Sequence, residues 1–90
     1  MPAYIVTYDA HHDRDYQSLY DAMEEIGGVR LAGSVWGISS VQSVSEVRDW
    51  VRALLDANDT VVVLRIQRRP AWATRNAPRE ATDWLHARGR

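Results

Sequence analysis

Two strand-forming runs constrain this chain more than any other feature. Ala3-Tyr4-Ile5-Val6-Thr7-Tyr8 is β-branched and aromatic, with apolar side chains on both faces, and Thr60-Val61-Val62-Val63-Leu64-Arg65-Ile66 is almost wholly β-branched or aliphatic. A strand that is apolar on both faces has to be covered on both, so each run is expected to lie largely buried in a sheet. The first reads as a central strand ending at Asp9, and Arg65 is expected at an edge or rim.

Two helical stripes lie between these runs. Tyr16, Leu19, Tyr20, Met23 and Ile26 share one side of a helix whose other side carries Asp21, Glu24 and Glu25, and Gly27-Gly28 supplies a left-handed stop. The segment from Asp9 to Asp15 is a polar loop offering Asp13 or Asp15 as the N-cap of that helix. Ser43-Val44-Ser45-Glu46 spells a capping box, after which Val47, Trp50, Val51, Leu54 and Leu55 repeat at helical spacing to about Ala57-Asn58. Trp50 is therefore expected in the core. Val29 to Ser39, interrupted by Gly33 and Gly37, predicts two short strands meeting near Ala32-Gly33-Ser34.

The resulting order, βαββαβ, is that of the ferredoxin-like architecture: an α+β fold with a four-stranded antiparallel sheet and two helices on one face. Residues 1–68 are expected to form this domain. Residues 69–90 form a C-terminal tail in which Asn76-Ala77-Pro78 opens a short helix through Trp84 and Leu85, packing on the domain or on a partner subunit. Helices on one face leave the apolar residues of the other in water, which predicts a homodimer packed sheet to sheet. Trp72 and Trp84 are expected to anchor the tail across that partner.

Composition narrows the function classes. Ninety residues suit one domain burying roughly 60 to 70% of its unfolded surface. The absence of Cys excludes a disulfide framework, a Cys-based zinc site, an iron–sulfur cluster and a thiolate nucleophile. No apolar run approaches the ~20 residues of a membrane span, and no signal core follows Met1, so the expected location is cytoplasmic and no membrane partner is expected. The net charge of −1 hides an asymmetry, because nine of the eleven Arg follow residue 45 while the acids divide evenly. Arg65, Arg68, Arg69, Arg75 and Arg79 form an acid-free stretch that suits either phosphate contact or a solvated face, with the solvated face the commoner outcome.

Three features, taken together over about residues 3 to 66, resemble the small CRISPR-associated adaptation endoribonucleases. They are Tyr8-Asp9 at the end of the first strand, a helix ending in Gly27-Gly28 that leads into Ser34-Val35-Trp36, and the acidic segment Asp56 to Asp59 running into a β-branched last strand. The chain is also similar to the related virulence-associated toxin ribonucleases. The resemblance implies a homodimeric, metal-dependent nuclease acting on RNA or DNA. Asp9 would be the catalytic and metal-binding carboxylate, meeting its mate near the dimer axis around Mg2+ or Mn2+. Apart from the resemblance, the residues themselves offer Ser34, Arg65, Arg68, Arg69 and Arg75 as candidate substrate contacts.

Other constellations weigh less. His11-His12-Asp13 beside Asp9 has the chemistry of a zinc, nickel or manganese cluster, but adjacent histidines in a loop more often form no site, and His11 and His12 rank as accessory groups. Ser34 suits an ordinary turn role as well as a phosphate contact. His86 is placed to favour a helix C-terminus. A serine-nucleophile elbow is absent. The acidic first helix would repel nucleic acid, which favours the alternative of a non-catalytic dimeric interaction or regulatory protein, including a toxin–antitoxin component.

Overall fold

Alternating side chains of Ala3–Asp9 make strand β1, and the computed structural model, which describes residues 1–9 and 16–88, continues with α1 (Gln17–Glu25), β2 (Val29–Ala32), β3 (Val35–Ser39), α2 (Val44–Arg52), β4 (Thr60–Ile66) and α3 (Arg79–Arg88). The sheet order is β2-β3-β1-β4, with every neighbouring pair antiparallel. This is the ferredoxin-like arrangement expected from the element order. No helix among the described residues is long and apolar enough to cross a membrane.

Local sequence accounts for the helix ends. Gly27 takes φ +78°, its N–H donates to the Glu24 carbonyl at 3.0 Å, and Gly28 N–H donates to the Met23 carbonyl at 2.8 Å. That pair of bonds is the Schellman closure of α1. At α2, Ser43 Oγ accepts from Glu46 N–H at 3.2 Å while Glu46 Oε1 accepts from Ser43 N–H at 2.9 Å, completing the capping box. The N-cap of α1 is Tyr16, which caps through no side-chain bond. Asp13 and Asp15, the expected caps, lie outside the described residues.

The core lies between one face of the sheet and the first two helices. Tyr4, Val6 and Tyr8 of β1 and Trp36 and Ile38 of β3 pack with Leu19 and Met23 of α1 and Val47 and Val51 of α2. The register pairs Tyr4 with Ile38 and Val6 with Trp36, which puts both strands' large residues on this face.

Three expectations are corrected. The second helix stops at Arg52 rather than near Asn58, because its hydrogen bonds tighten from i+4 to i+3 at Leu54 and Leu55, and Asp59 Oδ2 then captures Asp56 N–H at 3.0 Å. Trp50 is half-buried against the core rather than within it. β4 is not a buried strand but the edge of the sheet: Val61 and Val63 reach the core, while Val62 and Leu64 are 46% and 57% exposed on the other face.

That other face is covered unevenly. Gly37 lies on it, paired with Ile5 and Val29, and a Cβ there would meet the Trp84 ring at 2.9 Å. Glycine is thus what lets α3 seat its one large aromatic against β3. Trp84 is therefore spent within its own chain and not across a partner, and α3 packs on β2.

Candidate functional site

The two ends of the sheet present opposite chemistry. At one end Asp9 closes β1, exposed and paired with Thr60. By alternation Asp9 shares its face with Ile5, Thr7, Val62 and Leu64, the side away from α1 and α2. Ser34 is at this same end: its carbonyl accepts the Tyr8 N–H at 3.2 Å, so its backbone extends the sheet while its side chain is exposed. The turn role expected of Ser34 is the one visible here.

Arg30, paired with Trp36, supplies a cation on the α1 face of the sheet, opposite the face of Asp9. Its guanidinium donates to the Gly33 carbonyl at 2.7 and 3.1 Å and to Tyr20 Oη at 3.3 Å, and it lies 4.5 Å from the centre of the Tyr20 ring. The Tyr20 and Trp36 rings stack at 6.2 Å. Arg30 stands in a short strand between two apolar residues, and nothing in that pattern marks it.

Beneath this group, Tyr8 Oη and Trp36 Nε1 are both buried without a hydrogen-bond partner among the described residues. Burial pushes the Tyr8 phenol above its ordinary value of 10.0; the neighbouring Trp36 indole opposes this, Tyr20 adds to it, and the charge of Arg30 opposes it.

The arginine stretch that is continuous in sequence is divided in space. Arg65 pairs with Tyr4, whereas Asp9 pairs with Thr60, and five residue steps at ~3.3 Å each place them roughly 17 Å apart along the strands. Arg68 lies with Arg65 at the far end, and Arg69, at φ +58°, donates its N–H to the Arg88 carbonyl at 3.2 Å. Residues 70–78 then run back along the sheet, so that Arg75 shares a cleft with Arg30 and Gly33 at the other end. Arg79 faces Asp83 at 3.9 Å, both largely exposed. The acid-free stretch is therefore two separate basic groups, because the tail reverses direction between them.

His11 and His12 lie outside the described residues. Among the described residues no three His, Asp or Glu side chains gather as a metal cluster. Asp9 offers a carboxylate at the end of β1, a donor that suits a hard cation held by one or two carboxylates with water and phosphate completing its shell. His86 stands in the last turn of α3, edge-on to Trp72 with ring centres 4.8 Å apart.

No family model matches this chain. Its fold is similar to the crystal structure of a hypothetical protein, TT1823, from Thermus thermophilus, with a TM-score of 0.65 over 86% of this chain and 94% of that one. The two sequences are 22% identical, and the likeness extends to the fold.

Proposed function

We propose that this chain is a divergent relative of the CRISPR-associated adaptation nucleases, a cytoplasmic homodimer that hydrolyses phosphodiester bonds of RNA or DNA with Mg2+ or Mn2+. One observation carries the reading. Asp9 is exposed on the same face as the bare apolar residues Val62 and Leu64, so a second copy covering that face draws two carboxylates toward one another. A bound divalent cation would supply a lowered pKa for water and neutralise charge on the phosphate. The chain's own part is to fix the direction of Asp9 by its place at the end of a central strand, and to hold Ser34 at the same end of the sheet.

The second reading, a non-catalytic dimeric interaction or regulatory protein of the toxin–antitoxin kind, is favoured by the ~17 Å that separates Asp9 from Arg65, with Arg68 beyond it, and by the acidic outer side of α1.

The test is incubation of the purified protein with RNA and with DNA, with and without Mg2+ or Mn2+. Cleavage that disappears in a folded Asp9→Asn variant is the expected result, since the amide keeps the shape and removes the charge. Equal cutting by that variant would overturn the assignment of Asp9. A wild type inert with every divalent metal would leave the interaction-protein reading standing.

A further inference from the structure

Between α1 and α2, on the face of the sheet away from Asp9, lies a cavity of about 180 Å³ lined by Ile26, Ile38, Val47 and Trp50, with Gln42 from the β3–α2 connection. That is below the roughly 300 Å³ at which whole small-ligand sites begin, and it suits a single large side chain. Ile26 is 45% exposed and Trp50 is half-buried, so folding leaves an apolar seat beside water. The connection that walls it is fixed. Tyr4 Oη donates to the Gln42 carbonyl, Ser40 Oγ accepts the Gln42 N–H at 3.1 Å, and Ser40 N–H donates to the Pro2 carbonyl at 3.0 Å. A wall already ordered costs a partner little to bind.

The rims of this seat are acidic. Glu46 precedes Trp50 by four residues and stands beside it on α2, while Glu25 follows Ala22 by three on the row that leads to Ile26. One exposed carboxylate thus flanks the seat on each helix. Arg48 and Arg52, two residues either side of Trp50, fall on the opposite side of α2, and Arg48 pairs with Asp49 at 3.0 Å. The two helices together carry five acids against those two arginines. Arg88 reaches Ser39 Oγ at 2.7 Å from α3, with the sheet between it and the groove. The C-terminus of α1 and the N-terminus of α2 both border the cavity, and their half-charges oppose one another. An anion is repelled by such a rim and a neutral apolar segment leaves it unmatched, whereas an apolar anchor with basic neighbours matches seat and rim together.

We infer that the α1–α2 groove docks a basic segment of a partner protein. One aliphatic or aromatic side chain of that segment sits against Ile26, Val47 and Trp50, and its flanking lysines or arginines face Glu25 and Glu46. The surface lies opposite Asp9, Val62 and Leu64, so neither cleavage nor sheet-to-sheet pairing bears on it.

The test is titration of the full isotope-labelled chain with a short peptide holding one leucine between two pairs of arginines, read by amide and indole NMR shifts. Saturable shifts at Ile26, Val47 and the Trp50 indole are expected. Glycine in place of the leucine should weaken binding at least tenfold, and glutamates in place of the arginines should abolish it. Glu25→Gln and Glu46→Gln should each weaken binding roughly threefold, an effect that fades with added salt; glutamine at 46 can still complete the capping box, so α2 keeps its start. Ile26→Ala, at an exposed position, should weaken binding about tenfold. Equal binding of the glycine peptide, or of the wild-type peptide by Ile26→Ala, would overturn the anchor seat. Equal binding of the glutamate peptide would overturn the acidic rim, and absent shifts at these residues would overturn the site. Shifts of the same residues on raising the concentration of the protein alone would give the groove to a second copy of this chain and overturn the partner assignment. Asp9→Asn should leave every one of these readings unchanged, so this inference and the proposed nuclease activity fail separately.

Discussion

The two faces of the sheet are built from similar residues and finished to different degrees. On one, Tyr4, Val6, Trp36 and Ile38 meet two helices and are all at most 3% exposed. On the other, Trp84 closes the β2–β3 half over Gly37, while Val62 and Leu64 on the β4 side remain open to water. The cause is geometric. Two crossover helices fall on the same side of the sheet, whereas the tail contributes one helix, and a helix ~10 Å wide spans about two strands at ~4.8 Å spacing. The uncovered half therefore reflects how much chain reaches that side, not any lack of apolar residues there.

Neighbouring residues of β1 test this contrast most strongly. Val6 is fully buried on the two-helix face, so Val6→Asp places an unpaired charge in the core and should cost about 5 kcal/mol or more, comparable with the whole stability of a domain this size. Ile5→Asp, one residue away on the other face, should leave a cooperative urea transition. Loss of folding in both variants would show that the faces are equally essential.

On the half covered by α3, Trp84→Ala should cost roughly 3 kcal/mol and open residues 67–88 to limited proteolysis while the β1–β4 core survives. Global unfolding at the same denaturant concentration as tail release would make α3 an integral part of the core.

The bare half should respond differently again. Leu64→Arg should change stability by no more than about 0.5 kcal/mol, as for other surface substitutions, yet convert a dimer to a monomer in light scattering. A wild type that is already monomeric at micromolar concentration would refute the sheet-to-sheet dimer.

The smallest effect concerns an imperfection of the well-packed face. Tyr8→Phe removes a buried hydroxyl that has no described partner, so it should be neutral or stabilising by up to about 1 kcal/mol, the reverse of the usual loss. The pH dependence follows from the raised phenol pKa. The folded state keeps its proton when the unfolded chain begins to lose it near 10.0, so the contribution of Tyr8 to stability is complete below that pH. It declines as pH rises from there toward the folded value. The phenylalanine variant should lack this alkaline component in denaturation curves collected on both sides of pH 10.

What the sequence determined by itself is whatever one or two turns of chain can specify. Ser43 and Glu46 cap α2 because donors and acceptors three residues apart meet in any helix start. Gly27 ends α1 because only a residue without Cβ accepts its φ cheaply, and the alternation within β1 and the helical stripe on α1 chose their buried sides. Even the element order, and with it the α+β class, followed from these local periods. The identity of β4 as an edge did not, since the composition of Thr60–Ile66 suits a central strand equally well and its place depends on which strands pair beside it. Gly37 reads as a strand breaker until Trp84, 47 residues later in the sequence, is seen lying over it. Likewise, Arg65 to Arg79 looks like one basic strip, and only the reversal of the tail carries Arg75 to Arg30, away from Arg65 and Arg68. Hydrogen-bond caps and side-chain periods act over a few residues and are written in them; which strand has a neighbour, and which charges share a cleft, are decided by contacts between distant segments, and those exist only once the chain has folded.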